Sequence, residues 1–450
     1  MNKRIFQLSA VFALIYFFST NGLASLPGIT ISFILKDYLH MTATQAAYFG
    51  AVTTLGWAIK PLWGIISDAF PIFGYRRKSY LIVTALASSA IWAALGQMAD
   101  YRVTTLLAMF IASSVMYAIM DVVCDALMVE TGKPLNLTGR FQSVQWTAVY
   151  VASIITGLAG GWAAEHLTAQ KVFSINAIFP LVVLVAVLFF VKEERTPCKN
   201  VFRHCEEPGD EAISTGIATS RSTAGLVMTP TVTILKNALS KKSIWLLAFF
   251  LFFWTFSPSF GTPFFYYAVD TLHFDKMFFG IAGAVGAASS AVGAVLYGLF
   301  AKRWQTRFFI KLAIVVGIVA TLFTLVYFIP GVQQNLKLAK TIFLVSSGLL
   351  GAIGAATFLV MLNAAAVTCE THAEGTTFAL LTSFWNVGLM ASDALGGFLF
   401  GRIGLEPLVI VSALFTAAAW FVLPYLKFED DKTAAAVILE GVERPIGSTS

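Results

Sequence analysis

The chain has 450 residues, of which 58% are apolar and only 12% charged, with a mean hydropathy of +0.78. A soluble globular protein carries about 25% charged residues, so a soluble enzyme or nucleic-acid binder is excluded. The net charge of +6 and pI near 9.0 then turn on where the 30 Lys and Arg residues fall.

Met1 to Ala24 has a basic start and an apolar run that continues past Asn21-Gly22 to Leu35 without a small-residue cleavage site. It reads as a retained first span rather than a removed signal. Apolar stretches long enough to cross a bilayer lie near 6–35, 44–68, 79–98, 104–129, 140–164 and 172–191. After a polar stretch, six more lie near 243–269, 277–300, 308–329, 341–368, 376–400 and 406–426. In hydrocarbon, backbone groups must be satisfied internally, and barrel strands would be shorter and alternate in polarity, so these runs predict helices. The predicted fold class is an all-α membrane protein with twelve transmembrane helices in two six-helix pseudo-repeats. Its predicted parts are an N-terminal bundle over 1–192, a linker over 193–242 rich in Pro, Ser, Thr and charge, a second bundle over 243–428 and a tail over 429–450.

With a cytoplasmic N-terminus, 22 basic residues fall on the cytoplasmic side and seven on the other, leaving Lys60 inside a span. Basic loops stay inside, which predicts a multi-pass protein of a plasma or inner membrane with both termini and the linker cytoplasmic. The halves also resemble each other: Phe141 to Leu158-Ala-Gly-Gly-Trp in span five matches Phe378 to Leu395-Gly-Gly-Phe in span eleven. Two parallel repeats joined by a linker suggest a carrier with its site at their interface.

Polar residues inside spans carry the most information, because they are costly there and should face a partner or a wet cavity. Asp121 and Asp125, four apart on span four, share one helix face. They read as substrate- or proton-binding groups, or as a lock between helices with Lys60 or Arg140; Glu130 is open to the same two readings. Lys60 balances that pair or meets a substrate carboxylate, and Pro61 beside it loosens the local helix bonding. On span eleven, Thr382, Asn386 and Asp393 form a polar stripe that reads as cavity-facing. Gln142 and Gln145, three apart on span five, serve equally well as ligand contacts or helix-to-helix glue. Breaks at Asn21-Gly22 and Pro27-Gly28 in span one, and from Ser257 to Pro263 in span seven, point towards a site or are packing kinks. Tyr16, Trp254, Tyr266 and Trp385 are candidates for stacking on a flat ring.

After span two the chain reads Lys60-Pro-Leu-Trp-Gly64-Ile-Ile-Ser-Asp68-Ala-Phe-Pro-Ile-Phe-Gly74-Tyr-Arg76-Arg77-Lys78. This segment resembles the loop-two signature of the major facilitator superfamily, with Phe70-Pro-Ile-Phe inserted between Asp68 and Gly74. That departure is similar to the folate-biopterin transporter family, as are Asp121-Val-Val-Cys-Asp125-Ala-Leu-Met-Val-Glu130 and Gly139-Arg140-Phe-Gln142-Ser143. In the second half, Gly298-Leu-Phe-Ala-Lys302-Arg303 lacks the Asp. The resemblance implies a major facilitator fold, a secondary transporter of folates or related pterins, and a gating role for the loop motif Gly64, Asp68, Gly74, Arg76 and Arg77; the basic-loop rule alone also accounts for its arginines.

A pterin's amino-oxo edge suits a carboxylate such as Asp121, and a folate's glutamate tail suits Lys60. Low dielectric favours the neutral form of a carboxyl, which fits proton coupling in a symporter. Alternatives are a carrier of another small organic anion and a non-transporting membrane receptor. No Walker motif or nucleophile with a base partner is present, so no enzyme is expected. Cys198, His204 and Cys205 match no common metal spacing, and no metal or cofactor is expected. The expected partners are the small-molecule cargo, the lipid bilayer and protons.

Overall fold

The computed structural model describes residues 3–19, 22–132, 138–193, 240–300, 306–368 and 374–422. Most of the predicted linker, with Cys198, His204 and Cys205, and the whole tail lie outside these residues.

Span one is α1 (Lys3–Phe18), a 3-10 turn at Leu23–Ser25, and α2 (Gly28–Phe33), which runs on as a π-helix over Ile34–Tyr38. Span two divides into α3 (Ala43–Thr53), α4 (Leu55–Ala58) and α5 (Lys60–Ala69). There follow α6 (Lys78–Gln97), α7 (Val103–Gly132), α8 (Thr138–His166), α9 (Ala169–Asn176) and α10 (Ile178–Phe190). In the second half, α11 (Lys242–Thr255) and α12 (Gly261–Asp270) flank the break at Ser257-Pro258-Ser259. Then come α13 (Lys276–Phe300), α14 (Thr306–Phe323), a short α15 (Pro330–Gln333), α16 (Leu336–Thr368), α17 (Glu374–Ile403) and α18 (Leu405–Val422).

Among the described residues, nine helices are long and apolar enough to cross a bilayer alone. The other three expected spans, near 44–68, 243–269 and 376–400, are those that divide or carry polar residues. Pro61, at the start of α5, has no N–H to return to the Trp57 carbonyl, so span two cannot run through unbroken. Outward faces are apolar: Val319, Val345, Leu349, Leu414 and Phe421 are all exposed, as lipid-facing side chains should be.

Buried core clusters keep largely to one half. Phe12, Leu81, Met120, Phe141 and Phe173 belong to one, Phe250, Ile310 and Leu381 to another, and Phe264, Phe274 and Phe278 to a third. The halves meet where α8 packs on α13 and α3 on α17. Each seam uses a pair of adjacent glycines. Gly160 lies against the Leu26 carbonyl in the break of span one, where an added methyl would be 2.9 Å from that oxygen, while Gly161 faces Gly280 of α13 at 2.8 Å. In α17, Gly396 abuts the Ser259 carbonyl in the break of span seven, and Gly397 faces Ala47 of α3, 2.7 Å from an added methyl. The first glycine of each pair seats its own half's broken helix and the second admits the other half, so the matched sequences also match in packing.

Two loops at opposite ends are tied by charge. Asp275 caps α13, accepting the Phe278 N–H at 2.7 Å, and bonds the Lys340 ammonium. Burial alone would raise its carboxyl pKa, but Lys340 and the Phe278 N–H more than offset this and hold it below the ordinary carboxylate value. At the other end, the Glu193 carboxylate accepts the backbone N–H groups of Arg76, Arg77 and Lys78 at 2.8, 3.1 and 2.7 Å. It thereby caps the N-terminus of α6, where orphan donors and the helix dipole favour an anion.

Candidate functional site

Between the halves lies a cavity of about 270 Å³. From the first half it is walled by Tyr16, Trp57, Lys60, Asp121, Asp125 and Gln145, and from the second by Phe358, Met361, Thr382, Trp385 and Asn386. The four-residue spacing on α7 brings both carboxylates to it. Lys60, the first residue of α5, reaches Asp121 Oδ2 at 2.6 Å and lies over the Trp57 ring, 4.6 Å from its centroid. Both side chains of that pair are only about a tenth exposed.

Asp125 faces neutral donors instead: the Tyr16 hydroxyl donates to its Oδ1 at 2.6 Å and Gln145 Nε2 at 3.3 Å. Two carboxylates thus stand beside one ammonium. Across the cavity, Asn386 Nδ2 donates to the Trp57 carbonyl at 3.2 Å. That is the carbonyl which Pro61 leaves without a helical donor, so a proline in one half creates the acceptor that the other half uses. Trp146 meets Phe358 edge-on at 5.0 Å, and Phe358 meets Trp385 at 5.6 Å, forming an aromatic row that spans both halves.

Of the residues expected to bind, Lys60, Asp121, Asp125 and Asn386 converge on this cavity, with Thr382 one turn from Asn386. Asp393 is not among its lining residues: it lies beside Ser259 at the break of span seven. The polar stripe of span eleven therefore splits between cavity and seam. The Gln142 side chain lies outside the described residues, and Gln145 of the same pair is the one that reaches Asp125. Tyr16 and Trp385 line the cavity, whereas Trp254 packs at a tilt against Phe250 of the core and Tyr266 lies under Lys36. The two helix breaks seat glycines rather than lining the cavity. Trp57, three before Lys60, was legible as its neighbour on one face but had no polar signal to single it out.

The loop motif builds a second cluster. Arg77, 6% exposed, donates to Asp68 at 2.5 Å, to Glu130 at 2.7 and 3.2 Å and to Ser67 at 2.9 Å. Burial alone would lower the Arg77 pKa, but the bonds to Glu130 and the charges of Asp68 and Glu130 hold it above the ordinary value. Gly64 sits beside Val122 of α7, and Gly74 has φ +80°, following Phe73 at +53° in a tight turn closed by the Ile72–Tyr75 bridge. Arg76 contributes its backbone N–H to Glu193.

The BT1 family model matches residues 21–408. A folate-biopterin transporter of Synechocystis sp. is 31% identical over 440 residues, covering 94% of this chain and 82% of that protein. A probable folate-biopterin transporter 4 of Arabidopsis thaliana is 26% identical, covering 87% and 88%. Among solved structures, a D-xylose-proton symporter superimposes with a TM-score of 0.65 at 13% identity, over 93% of this chain and 97% of that one. A nucleoside transporter superimposes at 0.61 and 11% identity, over 95% and 100%. At such identities these likenesses speak to the fold alone, and the fold is that of the major facilitators.

Proposed function

Since the chain belongs to the BT1 family, we propose that it carries folates or related pterins across a membrane as a secondary transporter, by alternating access and coupled to protons. The observation that carries this reading is the Lys60–Asp121 pair at 2.6 Å in a cavity walled by both halves. Such a pair can exchange partners. A pterin edge with adjacent N–H donors competes for Asp121, and a carboxylate on the same cargo competes for Lys60, so an incoming ligand supplies what each group gives up. Aromatic faces at Trp57 and Trp385 offer a flat ring its stacking surface.

At about 270 Å³ the cavity is slightly below the usual ligand-site range of about 300–1,000 Å³. It suits the ring end of a folate, or a whole pterin. With one ammonium beside two carboxylates, the second acid, Asp125, is the group that takes a proton when the cargo brings no cation. Both six-helix bundles, 1–192 and 243–428, rock about this site, with the termini and the 193–242 linker on the cytoplasmic side of a plasma or inner membrane. The cycle makes and breaks no covalent bond.

Counterflow of labelled folate in proteoliposomes tests the reading. Exchange is expected; binding without exchange would make the protein a receptor, and conversion of the label an enzyme. Asp121→Asn is expected to lower pH-dependent folate uptake about tenfold or more, the loss of one charge-assisted contact. Unchanged uptake would remove Asp121 from the mechanism.

A further inference from the structure

The end of the seam away from Arg77 is closed by a contact between halves that the cavity does not use. Span one ends there as a π-helix, a form rare in proteins and frequent at functional sites. From it Lys36 reaches Asp270, the last residue of α12, at 2.5 Å, and lies over Tyr266, 5.6 Å from the ring centroid. One turn earlier, Phe33 inserts into the second half. It meets Phe265 edge-on at 5.3 Å and Phe279 at 6.4 Å, and the Lys276 ammonium lies 5.0 Å from its ring.

We propose that Lys36 and Asp270 are the latch of the outer gate and that Phe33 is its plug. Opening to the outer side parts this ion pair and withdraws Phe33 from between Phe265 and Lys276. The assignment rests on the alternating-access reading and on the orientation with both termini inside. Its physical basis is a contrast in kind. The glycine seams hold by close backbone packing rather than by charge. The latch joins a Lys36 side chain that is 12% exposed to an Asp270 side chain that is 60% exposed, so water already solvates the carboxylate and can replace the ammonium when the pair parts. Phe33 is buried and excludes water from the path behind the pair. A reversible gate needs both properties, a weak polar clasp at the surface and a dry apolar stopper beneath it.

The test uses the full chain with its four native cysteines replaced by alanine and Val149, which also lines the cavity, changed to Cys as reporter, in sealed vesicles with an impermeant maleimide added from the outer side. Lys36→Asp removes the ammonium that Asp37 and Asp270 share and adds a third carboxylate beside them, and is expected to raise the labelling rate about tenfold, a shift in the open fraction. Asp270→Lys is expected to do the same, and the swapped pair Lys36→Asp/Asp270→Lys to return labelling to the parent rate. Equal labelling in all four proteins overturns the latch, as does labelling that stays raised in the swap. Folate counterflow in the same vesicles separates the two readings. Gated labelling without counterflow keeps the latch and removes folate carriage, whereas counterflow with ungated labelling does the reverse.

Discussion

Lys60 and Asp121 hold each other in a site where neither has much water, so removing one leaves the other charged and desolvated. Breaking such a pair from one side costs about 3–5 kcal/mol, whereas replacing both partners by apolar groups is often close to neutral. Lys60→Met is therefore expected to lower the thermal midpoint of the detergent-solubilised protein markedly and to abolish uptake. Lys60→Met/Asp121→Leu should regain the midpoint without regaining uptake. If the double variant transports, the pair is a helix lock and nothing more. At this scale the sequence was informative where a residue was chemically out of place. One lysine and two aspartates within apolar spans stood out because each is expensive there, and all three meet in the cavity. Asp393 stood out for the same reason yet belongs to the seam: a seven-residue spacing from Asn386 fixes the helix face, but not how far along that face the cavity extends. Lys36 and Glu193 gave no such signal, being charges near span ends, where charges are common.

Helix breaks show how much of an element is local. Those in spans one and seven were foreseeable because Pro and Gly act on their own few residues. The π-helical end of span one carries no comparable marker, since Ile34-Leu-Lys-Asp-Tyr38 would serve an ordinary helix as well. The paired glycines were visible as a repeat between spans five and eleven, but their division of labour was not, because the partners of Gly160 and Gly396 lie in distant breaks. An added methyl at Gly396 meets the Ser259 carbonyl, a backbone group that cannot rotate aside. Gly396→Ala is thus expected to destabilise the protein by about 1–3 kcal/mol, the range for overpacking. Gly354→Ala, at a mid-helix glycine of α16 with open space around it, should leave stability unchanged or raise it by up to about 1 kcal/mol. Thermal denaturation of both variants checks the contrast, and equal midpoints would mean that the Gly396 seam relaxes.

For the molecule as a whole, the fold class was legible because a bilayer demands long apolar helices and the sequence has little else. The position of the seam was not, since it depends on which faces of helices far apart in the chain meet, as at Gly161 with Gly280 and at Ala47 with Gly397. Glu193 carries a consequence for biosynthesis. By capping α6 with the first residue of the linker it closes the first half on itself, so the clasp can form as soon as that residue leaves the ribosome, ahead of the second half. The chain should then tolerate a cut at the linker. Fragments 1–200 and 235–450, co-expressed, are expected to co-purify and to exchange folate, their union made by the α8–α13 and α3–α17 seams. Glu193→Ala should reduce the yield of the two-fragment protein more than that of the intact one, because a severed half cannot borrow order from a tethered partner while its α6 end stands uncapped. Equal losses in both forms would show that the two halves mature together rather than in sequence.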